Sequence, residues 1–98
     1  MRFVGESYKD KKIDMDFNEF VDCEFTKCEL VFHGVGKIGM EGCSFSSVRW
    51  TFADAAANTV QFMTALYHGA GPGGKQLIES TFENIRAGSD RPVEMSDL

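Results

Sequence analysis

The sequence predicts a repeat-built solenoid followed by one or two α-helices, and three observations carry that reading. An apolar residue recurs at every fifth position from 13 to 52, a helical spacing replaces it after residue 53, and nine Phe give 98 residues enough apolar surface for a core. With 43% hydrophobic and 26% charged residues, the composition fits one domain over 1–98 and argues against a disordered chain. Within it, 1–12 reads as an N-terminal cap, 13–52 as the repeat, 53–86 as a helical cap and 87–98 as a polar tail.

Reading in fives from Ile13 gives IDMDF, NEFVD, CEFTK, CELVF, HGVGK, IGMEG, CSFSS and VRWTF. The third positions, Met15, Phe20, Phe25, Leu30, Val35, Met40, Phe45 and Trp50, are all apolar. The first positions are mostly small or apolar, and the others are mostly polar or Gly. An α-helix would rotate each fifth residue by about 140° and scatter this set, while a strand would alternate it between faces. These units resemble the pentapeptide-repeat family, in which a small residue, Asp or Asn, and Leu or Phe precede two polar positions; CEFTK, CELVF and CSFSS match well. HGVGK and IGMEG depart from the pattern, which points to a bulge or loop there. The resemblance implies a mainly β fold with C-terminal α: a short right-handed quadrilateral β-helix of about two coils, four units per coil, with central residues pointing inward. Phe25 should then stack on Phe45, Leu30 on Trp50 and Phe20 on Met40, all four of Phe25, Phe45, Leu30 and Trp50 being buried.

From residue 54 the apolar spacing becomes helical. Asp54 is placed to cap a helix from about Ala55 that ends at Gly69, with Val60, Phe62, Met63 and Leu66 on its apolar stripe. GAGPGG, 69–74, reads as a linker, and Ile78, Phe82 and Ile85 mark a second helix over about 75–86. Phe32 and Phe52 share the outer fifth position twenty residues apart. Together with Val60, Phe62, Met63 and Leu66 they form the expected helix-docking or dimer face.

The formal charge of −5 argues against direct nucleic-acid binding. The absence of a long apolar run argues against a membrane span, and the polar start and odd count of three Cys favour a cytoplasmic protein with reduced thiols. Acid concentrates between 13 and 32, where Asp14, Asp16, Glu19, Asp22, Glu24 and Glu29 face only Lys27; these six form the expected partner-binding acidic face. Cys23, Cys28, Cys43 and His33 all occupy first positions, so the repeat explains the thiols as interior residues, and no metal or other cofactor is expected. Gly69–Lys75 has the spacing of a phosphate loop but follows a helix and carries Gln76 where a hydroxyl belongs.

No catalytic set emerges from spacing, and the reading is a non-enzymatic interaction module with a protein partner, itself a homodimer. One alternative is an acidic DNA-mimic inhibitor, since pentapeptide-repeat proteins related to quinolone resistance are acidic rods of that kind. The other is a ligand-binding or enzymatic domain using His68 and the Gly-rich linker.

Overall fold

The computed structural model describes residues 1–89. The strands are β1 (Arg2–Val4), β2 (Ser7–Lys9), β3 (Lys12–Asp14), β4 (Glu19–Val21), β5 (Glu24–Thr26), β6 (Glu29–Phe32), β7 (Gly39–Glu41), β8 (Ser44–Ser46) and β9 (Arg49–Phe52), followed by helices α1 (Asp54–Gly69) and α2 (Gly71–Ala87). The strands form three parallel sheets, β1-β4-β7, β2-β5-β8 and β3-β6-β9, in a β-helix-like stack. Residues expected as an N-terminal cap are strands of the stack, which has three layers rather than two. The chain divides into two compact units, residues 1–58 and the part from Thr59 onward, with α1 beginning in the first and continuing in the second.

The registers explain the period of five. Phe3, Phe20 and Met40 align in one sheet, Tyr8, Phe25 and Phe45 in the next, and Ile13, Leu30 and Trp50 in the third, so every central residue lies over another. Between them the chain turns at residues with positive φ: Gly5, Asp10, Asp22, Lys27, Gly42 and Ser47. Each is the last residue of a five-residue step. Four of them are not Gly, and L-residues in this region carry a steric cost; corner amides offset it by donating to the next layer, as Asp22 N–H does to Glu41 O (2.8 Å) and Lys27 N–H to Ser46 O (2.8 Å).

The frame slips once. Ile13, read from sequence as a first-position residue, is a central one paired with Leu30, and Phe20 follows it by seven residues. The first layer is seventeen residues from the second, whereas the second is twenty from the third. The difference lies in the connections without strand: Met15–Asn18 is short, and His33–Ile38 is a longer loop where the sequence pattern also weakens. Met15 is nonetheless fully buried, its N–H donating to Val31 O at 2.9 Å.

Burial concentrates in the middle layer. Met15, Phe20, Cys23, Phe25, Cys28 and Leu30 form the buried cluster, with Phe3, Tyr8, Ile13, Ile38, Cys43 and Val48 packed partly against it. Phe25 is sandwiched between Tyr8 (5.2 Å between ring centres, 15° between planes) and Phe45 (5.4 Å, 8°). Phe45 and Trp50, expected to be buried, are 43% and 44% exposed, because a residue of the last layer has a neighbouring layer on one side only.

In the second unit, the segment expected as a linker is largely the first turn of α2. Pro72 stands at the N-terminal positions where its missing N–H is no loss, and Gly73 and Gly74 are buried. A Cβ on Gly74 would lie 2.1 Å from Leu66 O, so the close approach of α1 and α2 requires glycine. Gly88, left-handed at φ 70°, ends α2 with its N–H turned back to Asn84 O and Ile85 O. Most of the expected polar tail, 90–98, lies outside the described residues.

Candidate functional site

Three groups of side chains carry chemistry, and the first was not anticipated. The loop after β6 begins at His33, whose ring lies between two carboxylates: Nε2–H donates to Asp14 Oδ1 at 2.9 Å and Nδ1–H to Asp54 Oδ2 at 2.5 Å. Both ring nitrogens face carboxylate oxygens, an arrangement that favours the protonated ring, in which both are donors. The hydrogen bond to Asp14, then that to Asp54, raises its pKa above the ordinary 6.5 against the opposing effect of desolvation. Below it, Asp16 accepts three backbone N–H bonds, from His33 (2.7 Å), Val35 (2.9 Å) and Gly36 (3.1 Å). Desolvation works to raise the Asp16 pKa, but these three donors outweigh it and hold the carboxyl below its usual range. Ala56 N–H donates to His33 O at 3.1 Å, and a Cβ on Gly34 (φ +80°) would meet Ala56 N at 2.6 Å. The first turn of α1 is thereby tied to the His33 loop. Asp54, expected to cap the helix with its own side chain, holds the imidazole instead, at φ 50°.

This cluster was legible from the stacking distance: His33 follows Asp14 by nineteen residues and precedes Asp54 by twenty-one, near the length of one layer. With the frame set two residues off at Ile13, His33 instead looked like a polar residue in an interior column.

The second group is the acid. Glu19, Glu24 and Glu29 occupy equivalent outward positions of β4, β5 and β6, so they belt three sheets instead of sharing one face. Their register neighbours decide which charges stay uncompensated. Glu29 lies between Lys12 and Arg49 and accepts Thr51 Oγ1–H at 2.8 Å. Glu19 lies beside Arg2, at an N–O distance of 3.9 Å. Glu24 lies between Ser7 and Ser44. At the corner joining the first two sheets, Glu24 N–H donates to Glu6 O (2.9 Å) and Asp22 N–H to Glu41 O (2.8 Å). The backbones of Glu6, Asp22, Glu24 and Glu41, drawn from three successive layers, meet at this corner, and all four residues are exposed. Asp14 and Asp16 are absorbed by the His33 cluster, while Glu6 and Glu41 were missed because the acid was counted within one coil.

The third group is in the helical unit. His68 packs edge-on to Tyr67 (5.3 Å), Lys75 Nζ stands 5.9 Å over the Tyr67 ring, and Tyr67 Oη–H donates to Glu79 at 3.3 Å. Val60, Met63, Tyr67, His68, Ile78 and Phe82 line an open, mainly apolar groove of about 400 Å³. Met63 and Leu66 are half-buried, whereas Val60 and Phe62 are exposed. Phe32 and Phe52 are register partners, as their spacing predicts, with Phe32 half-buried. Phe52, expected beneath a helix of its own chain or of a partner's, is 55% exposed.

The thiols are free. Cys23 and Cys28 are buried and Cys43 half-buried, with Sγ–H groups aimed at interior carbonyls such as Thr26 O (3.4 Å) and Phe20 O (3.4 Å). Among the described residues no three His, Cys, Asp or Glu side chains converge as metal ligands, and no helix is long and apolar enough to cross a membrane. Comparison with known proteins found no family model, no curated protein and no solved structure that matches this chain.

Proposed function

We propose that this chain is a small non-enzymatic protein-interaction module of pentapeptide-repeat type, a right-handed four-sided β-helix followed in sequence by a helical pair, acting in the cytoplasm. It binds a protein partner with a basic surface. The observation that carries this reading is the acidic edge of Glu6, Asp22, Glu24 and Glu41, built from three layers and not matched by basic register partners. Such an edge speeds encounter with a basic partner and rejects acidic ones, more than it sets affinity. It spans two layer spacings, about 10 Å, or roughly six phosphate charges of duplex DNA. That length favours a protein contact over imitation of DNA.

The test is capture from native lysate by the tagged chain and by a Glu6→Gln, Asp22→Asn, Glu24→Gln variant. Asn tolerates the left-handed corner at Asp22, so circular dichroism of the variant should match that of the parent. The parent is expected to retain a stoichiometric partner that is released by salt, and the variant to lose it. Equal retention by both chains would overturn the acidic edge as the contact.

A further inference from the structure

We infer that the exposed end of the third layer is the contact surface for a second copy of this chain, paired head to head about a two-fold axis through the middle of β8. The inference rests on the reading of the chain as an interaction module and names one partner of it. β7, β8 and β9 are the outermost strands of their sheets and have no strand on their outer side among the described residues. Their unmatched N–H and C=O groups are a template for further pairing. Inside the same ring of strands Met40, Phe45 and Trp50 are 45%, 43% and 44% exposed, although each lies over an apolar residue of the layer below.

Symmetry decides the occupant. A closed turn traced in one sense runs in the opposite sense when reversed by a two-fold axis in its own plane. A second copy placed on this end therefore meets every strand antiparallel: β8 on β8, and β7 on β9 twice. With the axis at Phe45, positions equally far before and after it come together. Met40 and Trp50, each five residues from Phe45, then face one another, and Phe45 meets its own copy. Glu41 and Arg49, each four residues away and each exposed, also meet, giving two opposite-charge pairs across the interface. Ile38 meets Phe52, which supplies cover for the most exposed Phe of the stack's last layer. Apolar centre, charge and strand direction agree under one operation, as an isologous interface requires.

The other end lacks this match. About Tyr8 the same operation sets Lys12 against Val4, with no opposite charge to meet it.

The experiment measures mass by sedimentation equilibrium, together with emission from Trp50, the only Trp. The parent is expected to be a dimer at tens of micromolar, with Trp50 emission shifting to the blue as concentration rises. Glu41→Arg and Arg49→Glu should each weaken the dimer by at least about tenfold, and the double exchange should restore it. Both sites are exposed, so unchanged circular dichroism is expected throughout. A monomer at all concentrations would overturn the inference, and a monomer with blue Trp50 emission would mean that another part of the same chain covers the end. A dimer indifferent to either reversal would place the interface elsewhere. Glu41 and Arg49 are unchanged in the Glu6, Asp22 and Glu24 variant used for partner capture. A monomeric parent that still captures its partner would thus sink this inference alone, and a dimeric parent whose partner is retained equally by that variant would sink only the acidic-edge contact.

Discussion

Phe25 and Phe45 occupy the same register column, and the difference between them is one neighbouring layer. Phe25 is 1% exposed between two rings, whereas Phe45 is 43% exposed over one. Removing a fully buried Phe side chain costs about 3–5 kcal/mol in lost transfer energy and cavity formation. Phe25→Ala should therefore cost that amount, a large part of the roughly 5–15 kcal/mol that holds a typical domain together. Phe45→Ala leaves no enclosed cavity and should cost about half as much in the isolated chain. Urea unfolding of the two variants, at a concentration where the parent is monomeric, checks the order; equal losses would mean that the end of the stack is covered. The same comparison shows where sequence spacing falls short. Period five identifies which residues point inward, but whether an inward residue is buried depends on how many layers lie beyond it, and no local pattern records that count.

Between α1 and α2 the decisive residue is Gly74, where a methyl group would press within 2.1 Å of the Leu66 carbonyl oxygen. That oxygen belongs to helix backbone and accepts Ala70 N–H at 3.3 Å, so it cannot swing aside as a side chain would. Gly74→Ala should destabilise the helical pair by about 1–3 kcal/mol, although alanine is the better helix former. A lower midpoint for the 222 nm signal would confirm this, and a higher one would show that propensity outweighs contact. α1 was legible almost to the residue because Gly69 ends an apolar stripe of helical spacing. The start of α2 was not, because GAGPGG has the composition of a linker and its helicity depends on a buried contact with Leu66. Among the strands, β4 to β9 follow the visible frame. β1 to β3 were hidden by the short Met15–Asn18 connection, which throws their central residues Phe3, Tyr8 and Ile13 out of step with Phe20. The acidic residues were visible as composition, but their gathering at one corner required the register.

The His33 cluster binds three successive parts of the chain: Asp14 at the end of β3, the loop after β6, and Asp54 at the start of α1. It therefore couples proton binding to how the first unit closes. Asp14, Asp54 and Asp16 are the charged groups that bond to this loop; Asp14 and Asp54 raise the His33 pKa, and the His33 charge helps to lower that of Asp16. Because His33 binds its proton more tightly folded than unfolded, its contribution is fully present below 6.5 and is lost as pH rises through the raised folded value. Asp16 has the opposite sign: its contribution is present above 3.8 and is lost as pH falls through the lowered folded value. Stability should thus hold level between these windows and decline on both sides. On the alkaline side a neutral ring keeps one donor for two carboxylates, so one of Asp14 and Asp54 is released. Urea unfolding between about pH 6 and pH 9 should show the decline in the parent, and His33→Gln should flatten it. Nuclear magnetic resonance should find the His33 ring titrating above 6.5, with Asp14→Asn moving its midpoint down. Loss of the Asp54 bond frees the residue at φ 50°, so protease cleavage near residues 54–58 should rise over the same pH interval. A stability profile flat across that range, with an unshifted His33 titration, would show that the two carboxylates flank the ring without holding its proton.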